Sequence, residues 1–197
     1  MEQNKMDLAS ELFYVGVYNN LLEKEQHESL INLCNSNIIF EKQAIINSKL
    51  QDTKNEEVRK VDGHFFTDFS SSMTDVFWYN RLQFYFLDML NVYYDERKMT
   101  TKRFDWHMDL QLLKYKEGCF YDYHVDNGVA TPREFSFSYI LNDDYEGGEL
   151  TFEFKGKEYP IKNVANTLVI FPSNLLYKHK VTKVTKSTRF AVVGWMT

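Results

Sequence analysis

The chain has 197 residues, a hydrophobic fraction of 44% and a formal net charge of −5. Its length fits one domain, which we assign to residues 1–197, with residues 1–100 preceding a core of residues 101–197. The acidic balance argues against a nucleic-acid partner. Two cysteines far apart exclude a disulfide framework and a zinc–thiolate site, and they favour a reducing, cytoplasmic setting. The chain has no apolar run of transmembrane length and no segment typical of a signal peptide, so we expect no membrane partner.

The N-terminal part predicts a strand, a helix and a polar connection. Alternation predicts the first strand over residues 12–17, and Asn20 with Glu23 three residues later predicts the N-terminus of a helix. We expect His27, on the charged part of this helix, at the surface. Residues 41–69 are polar and predict either an irregular loop over a site or a solvated connection, with His64 inside it.

The segment of residues 71–98 is the strongest predicted helix, and we expect it to lie across a sheet. Its apolar residues recur at helical spacing: Val76, Tyr79, Leu82, Phe86, Leu87, Leu90 and Tyr93. From residue 101 the pattern changes to short alternating runs separated by turns, which predicts six or seven strands. The sequence therefore predicts a mainly β fold, an antiparallel sandwich or barrel, with supporting α-helices.

The stretch "YDYHVDNG" carries the first candidate for chemistry. On a strand, His124 and Asp126 point to the same face, about 7 Å apart along the backbone. Such a pair suits one bound metal ion, and it equally suits an ordinary surface pair. His107 and Asp109 are a rival pair with the same spacing. Their strand continues past the acid, whereas "HVDNG" ends its strand at once and places its side chains at a rim.

Two later residues complete a candidate constellation. His179 with His124 and Asp126 makes a set of two histidines and one carboxylate, which binds Fe(II) and leaves positions open for further ligands. Arg189, ten residues on, offers a planar cation for a dicarboxylate that chelates the metal at its other end. The alternative for His179 is an exposed histidine between two lysines. The alternative for Arg189 is a residue on the surface of a strand.

Several stretches between residues 111 and 195 resemble the prolyl 4-hydroxylase-like branch of the Fe(II)/2-oxoglutarate dioxygenases. In "QLLKYKEGCFYDYHVD", the family's matching positions are Tyr115, Gly118, Tyr121, His124 and Asp126. "REFSFSYILNDDYEGGELTF" resembles the family's next strand and Gly-Gly-Glu turn. "LVIFPSNLLYKHKVTKVTKSTRFAVVGW" resembles its third-ligand strand and closing strand.

The resemblance implies a double-stranded β-helix (jelly-roll) core and a set of site residues. It implies Fe(II) ligands at His124, Asp126 and His179. It also implies that Arg189, where many members have lysine, grips the distal carboxylate of 2-oxoglutarate with help from the Tyr115 hydroxyl. Arg133 matches a basic position that lines the substrate entrance in some members. An ion pair of Arg133 with Glu134 or with an acid of residues 142–149 is the alternative.

The implied activity is hydroxylation of an unactivated C–H bond with 2-oxoglutarate and O₂ as cosubstrates and ascorbate as a reductant. The branch favours a prolyl residue of a protein or peptide as the substrate. A free amino acid or other small molecule is the alternative substrate, and a non-catalytic metal-binding protein of the same fold is the alternative function. Nucleic-acid demethylation is disfavoured, because Trp195 lies in the region where such relatives carry a second arginine.

Overall fold

The computed structural model describes residues 12–36, 40–43, 58–100, 108–129 and 132–196, with the backbone alone for residues 41–43. In these ranges the chain forms two α-helices and thirteen β-strands. The helices are α1 (Lys24–Cys34) and α2 (Met73–Glu96). The strands are β1 (Gly16–Asn19), β2 (Glu41–Gln43), β3 (Arg59–Phe66), β4 (Met108–Tyr115), β5 (Phe120–His124), β6 (Phe135–Ile140), β7 (Glu146–Gly147), β8 (Leu150–Phe154), β9 (Lys157–Pro160), β10 (Thr167–Pro172), β11 (His179–Val181), β12 (Val184–Lys186) and β13 (Arg189–Met196).

One long, curled antiparallel sheet dominates the fold. Its first part has the strand order β1-β10-β6-β13-β4-β3, and its second part continues as β3-β5-β11-β8-β9. Strand β3 joins the two parts, because residues 62–66 pair with β4 while Arg59 and Lys60 pair with β5. The predicted mainly β architecture is confirmed. The described residues between 108 and 196 hold ten strands rather than six or seven, since β7, β11 and β12 are only two or three residues long.

Strand β6 separates two buried layers. Phe135, Phe137 and Tyr139 pack in the cluster that contains α2. Ile140 instead packs with residues of β8 and β10 on the other face of the sheet. Because side chains alternate along a strand, Ser136 shares that inner face with Ile140. Every residue of β6 is buried, so a serine at this position is an inner polar group and not a surface residue.

Helix α2 lies across the outer face of the sheet, as predicted. Ser72 accepts a hydrogen bond from the Asp75 backbone N–H and caps the helix N-terminus. The Phe86 ring is fully buried and stacks on Phe137 with ring centroids 5.4 Å apart. Of the predicted stripe, Val76 and Leu87 are only partly buried. Among the described helices, none combines the length and apolar character that crossing a membrane requires.

The N-terminal boundaries differ from the sequence predictions. The first strand begins at Gly16 rather than residue 12, and α1 begins at Lys24 with Glu23 at its N-cap. Asn20 cannot cap this helix because it lies three residues before that N-cap, in the left-handed conformation with φ 57°. His27 is half-buried rather than exposed, and its Nδ1 lies 2.8 Å from the Tyr139 hydroxyl.

The prediction of an irregular connection over residues 41–69 was wrong for β3. This strand buries Val61, Gly63 and Phe66, but the charged residues at its start resemble a polar connection. His64 lies on this strand, and its Nε2 is 3.0 Å from Asp75 Oδ1. Residues 44–57 of the predicted loop lie outside the described residues.

Candidate metal centre

Two neighbouring strands bring the candidate histidines side by side. Strand β5 ends at His124, which is the register partner of His179 at the start of β11. The chain then turns, and Asp126 comes back towards both rings. His124 Nε2 lies 3.5 Å from Asp126 Oδ1, and His179 Nε2 lies 3.6 Å from Asp126 Oδ2. One potential ligand atom from each residue lies within 4.8 Å of the other two, which is a spacing that one metal ion can bridge.

Hydrogen bonds to the backbone orient both imidazoles. His124 Nδ1 lies 2.8 Å from the Asp122 carbonyl oxygen, and His179 Nδ1 lies 3.0 Å from the Tyr177 carbonyl oxygen. A carbonyl only accepts, so each Nδ1 carries the proton and donates it. Each Nε2 therefore carries a lone pair that points towards Asp126. This is the tautomer that a metal-ligating histidine needs.

A pair of serine hydroxyls holds the Asp126 carboxylate. Ser136 Oγ donates to Asp126 Oδ2 at 2.7 Å, and Ser173 Oγ lies 2.7 Å from Ser136 Oγ. Because the Ser136 hydroxyl donates its one proton to the carboxylate, Ser173 must be the donor in the second hydrogen bond. Burial by itself raises the pKa of Asp126, but the adjacent His179 and His124 rings and the Ser136 hydroxyl outweigh it and hold the pKa well below its usual range.

His179 is a buried residue and not the exposed histidine that its flanking lysines permit. Only 5% of it is exposed, and the Phe171 ring meets its imidazole edge-on with centroids 4.8 Å apart. Burial, reinforced by the neighbouring His124, lowers the pKa of His179 to about 4. At neutral pH the imidazole is uncharged and ready to donate its lone pair to a cation.

Arg189 is buried as a cation on β13, opposite Tyr115 of β4 in the strand register. Its exposed fraction is 1%, so the alternative of a surface strand residue is wrong. Its guanidinium carbon lies 5.0 Å from the centre of the Tyr115 ring. Within the described ranges, Arg189 Nε and the Tyr145 hydroxyl are buried without a hydrogen-bond partner. A buried cation with unsatisfied donors favours an anionic ligand.

A glycine turn makes room for this arginine. Gly148 has φ +67°, and a Cβ at this position would lie 3.0 Å from Arg189 Cδ and 3.1 Å from the Tyr145 ring. Only glycine combines that backbone conformation with such a close approach. Tyr145 was missed at the level of sequence, because a tyrosine in an acidic turn resembles a surface residue.

Arg133 lies beside the candidate ligands. Its Nη1 is 3.4 Å from the Asp126 backbone carbonyl oxygen, and its guanidinium stacks 3.9 Å from the Trp195 ring. Across the described part of the chain, Arg133 makes no ion pair with Glu134 or with the acids of residues 142–149. Of the rival pair, Asp109 is exposed on β4, and His107 lies outside the described residues.

Comparison with known proteins shows which family this centre resembles. The model of the 2OG-Fe(II) oxygenase superfamily matches residues 110–197, which include every candidate ligand. Residues 110–197 are therefore similar to the 2OG-Fe(II) oxygenase superfamily, and this match covers less than half of the chain. The donor set fits that assignment, since two neutral imidazoles and one carboxylate are the ligands of non-haem Fe(II) oxygenases.

Relatives of this oxygenase segment include curated bacterial proteins. A PKHD-type hydroxylase of Rippkaea orientalis is 39% identical over 94 residues, which cover 44% of this chain and 41% of that protein. A PKHD-type hydroxylase of Hyphomonas neptunium is 41% identical over 88 residues, covering 41% of this chain and 38% of the relative. The match thus spans less than half the length of these curated relatives.

Solved structures share the fold over most of the chain. A Pseudomonas putida prolyl-4-hydroxylase superposes with a TM-score of 0.66 at 17% identity, covering 93% of this chain and 92% of that one. A Trichoplax adhaerens prolyl hydroxylase in complex with a hypoxia inducible factor peptide fragment gives a TM-score of 0.71 at 18% identity, covering 93% and 83%. These likenesses confirm the predicted double-stranded β-helix core.

Proposed function

We propose that this protein is an Fe(II)- and 2-oxoglutarate-dependent dioxygenase that hydroxylates an unactivated C–H bond. The single observation that carries the proposal is the convergence of His124, Asp126 and His179, with both Nε2 lone pairs aimed at the carboxylate. Fe(II) bound there supplies the O₂ and C–H chemistry, which protein side chains lack. The chain supplies ligands, orientation and a site protected from water.

The residues around the centre take distinct roles in this proposal. His124, Asp126 and His179 hold the iron, and Ser136 keeps the carboxylate ionised and oriented. Arg189 receives the distal carboxylate of 2-oxoglutarate, because it is a buried cation that lacks a carboxylate partner within the described residues. The buried ring of Tyr115 lies against this arginine, and its hydroxyl is the proposed second donor to the cosubstrate.

We extend the proposal to a prolyl residue of a protein or peptide as the substrate. The solved neighbours include two prolyl hydroxylases, and one of them holds a peptide. Arg133 borders the same centre and is the proposed substrate-binding residue. The second candidate is hydroxylation of a free amino acid or other small molecule, because one fold hosts many substrates. Two buried free thiols, Cys34 and Cys119, support a reducing, cytoplasmic setting.

Turnover assays test this proposal. Purified protein with Fe(II), ascorbate and O₂ is expected to convert 2-oxoglutarate to succinate, and Asp126→Ala is expected to abolish that conversion. Asp109→Ala is the matched control, since it removes an acid of the rival HxD pair. Mass spectrometry of proline-containing peptides then searches for the gain of one oxygen atom. Succinate release that survives Asp126→Ala would contradict the assigned centre, and its absence in the wild type would favour a non-catalytic metal-binding protein.

A further inference from the structure

A third arginine, Arg59, lies near the centre on β3. It is the register partner of Tyr121 on β5, and its guanidinium carbon lies 4.7 Å from the centre of the Tyr121 ring. The Tyr121 ring in turn stacks on His124, with centroids 3.6 Å apart and planes 14° from parallel. Two short steps therefore connect the Arg59 cation to a candidate iron ligand.

Arg59 and Arg133 share an uncommon environment. The Nε of each is buried and has no hydrogen-bond partner in the part of the chain that the structure describes. Their side-chain hydrogen bonds within the described residues go to neutral acceptors: Arg59 Nη2 donates to Gln111 Oε1 at 3.2 Å, and Arg133 Nη1 donates to the Asp126 carbonyl at 3.4 Å. Neither makes an ion pair with a described carboxylate.

The charges of Arg59 and Arg133 both act on the Tyr121 hydroxyl. Burial raises the pKa of the Tyr121 hydroxyl to about 12, and the charges of both Arg59 and Arg133 oppose that rise. The acids whose charges reach Arg133 are Asp126, which belongs to the metal centre, and Asp109 on β4. Tyr121 therefore feels the charge of both guanidinium groups, and it lies next to the ring that would bind iron.

When the centre is loaded, its own positive and negative charges balance without Arg59 and Arg133. When Fe(II) and 2-oxoglutarate are bound, the charges of the metal and Arg189 are balanced by Asp126 and the two carboxylates of the cosubstrate. Arg59 and Arg133 then lie near the metal centre without an ion pair to any carboxylate of the described residues. Arginine recognises carboxylates through paired N–H donors, which makes it suited to such a group.

We propose that the substrate presents a carboxylate to Arg59 and Arg133, so that this pair selects an anionic substrate and positions its reacting carbon. The inference rests on the proposed function and narrows its substrate class. The carboxylate comes either from the α-carboxyl group of a free amino acid or from an acidic side chain next to the prolyl residue of a peptide. Arg59 is accordingly a specificity residue and not a catalytic one.

The competing explanation is that these arginines only pack on aromatic rings. Arg81 on α2 provides a built-in comparison, because its guanidinium lies 5.4 Å from the Tyr85 ring and its Nε is also buried without a partner. It belongs to the helix on the outer face of the sheet. Arg81→Gln therefore removes a stacked arginine without touching the metal centre.

Equilibrium binding separates these explanations. Protein is loaded with Mn(II) and 2-oxoglutarate without O₂, so that no turnover occurs, and it is titrated calorimetrically with two matched pairs of probes. One pair is L-proline and L-prolinamide, and the other is N-acetyl-Glu-Pro-amide and N-acetyl-Gln-Pro-amide. We expect the carboxylate member of one pair to bind at least about tenfold more tightly than its amide. The pair that discriminates identifies the source of the carboxylate.

Variants then assign the preference to the arginines. Arg59→Gln and Arg133→Gln are expected to bring the carboxylate-to-amide ratio close to one, Arg59→Lys to retain part of it, and Arg81→Gln to leave it unchanged. Thermal melting establishes that each variant is folded. A ratio near one in both probe pairs, no binding of all four probes, or a preference that survives both Gln variants would overturn the inference. Failure of Mn(II) or 2-oxoglutarate to load would instead refute the proposed function itself.

Discussion

Ser136→Ala is expected to weaken metal binding although Ser136 is not a metal ligand. In the wild type its hydroxyl donates to Asp126 Oδ2 at 2.7 Å and accepts from Ser173 at 2.7 Å. Alanine removes the donor and leaves a buried carboxylate oxygen unsatisfied. It also leaves the Ser173 hydroxyl without the acceptor of its hydrogen bond. The carboxylate then loses both its orientation and one of the groups that keep its pKa low.

The magnitude follows from the kind of bond that is lost. A hydrogen bond to a charged group contributes about 1.5–3 kcal/mol, and a tenfold change in affinity corresponds to about 1.4 kcal/mol. We therefore expect metal affinity to fall about 10- to 100-fold, the range typical of partners that orient metal ligands. Because the pKa of Asp126 rises in the variant, protons compete better with the metal, and the loss is expected to grow as the pH is lowered.

Anaerobic calorimetric titration with Fe(II) measures this effect, and Ser138→Ala is the matched control. Ser138 is a buried serine on the same face of β6, but it makes no hydrogen bond to Asp126. An affinity of the Ser136 variant within about twofold of wild type would refute the role of the serine pair. An equal loss in Ser138→Ala would show that any serine deletion on this strand disturbs the site non-specifically.

Three further predictions concern the cosubstrate site, pH and the core. Arg189→Ala is expected to weaken 2-oxoglutarate binding to the metal-loaded protein by ~2–5 kcal/mol, measured by calorimetry; an unchanged affinity would mean that another cation holds the cosubstrate. Burial lowers the pKa of His27 below its usual 6.5, so the folded state binds a proton less readily than the unfolded state. The contribution of His27 to the free energy of unfolding is complete above pH 6.5 and is lost as the pH falls below that value. The stability of the metal-free protein should therefore decline less steeply with falling pH in His27→Gln than in wild type. Identical pH profiles of the two proteins would contradict this. Phe86→Ala should lower the free energy of unfolding by ~3–5 kcal/mol in urea titrations, and a loss below about 1 kcal/mol would mean that the ring is not packed as described.

The pairing of His124 and Asp126 was accessible from sequence, although not for the reason that spacing suggests. Residues two apart on a strand share a face, and the turn after "HVD" indicated a strand end. In the structure the strand already ends at His124, and Asp126 approaches the imidazole through the turn that follows. The position of His179 followed from the resemblance rather than from spacing, because its two flanking lysines indicate an exposed residue. The strand register that places it beside His124 is a long-range property.

Other features depend on contacts that sequence patterns do not record. Strand β3 begins with charged residues, so Arg59 was read as part of a polar connection, although its side chain lies against Tyr121 in the site. Ser136 sits in a run of aromatic residues and reveals its role only through its bond to Asp126. Tyr145 lies in an acidic turn, and its burial beside Arg189 requires the glycine turn of Gly148. Each of these signals arises from tertiary packing rather than local periodicity.

The central claim is that His124, Asp126 and His179 together bind one iron ion. Anaerobic Fe(II) titration of wild type, Asp126→Ala and Asp109→Ala tests it most directly. We expect one Fe(II) per chain in the wild type and in Asp109→Ala, and loss of that binding in Asp126→Ala. Fe(II) bound with unchanged stoichiometry and affinity in Asp126→Ala would contradict it.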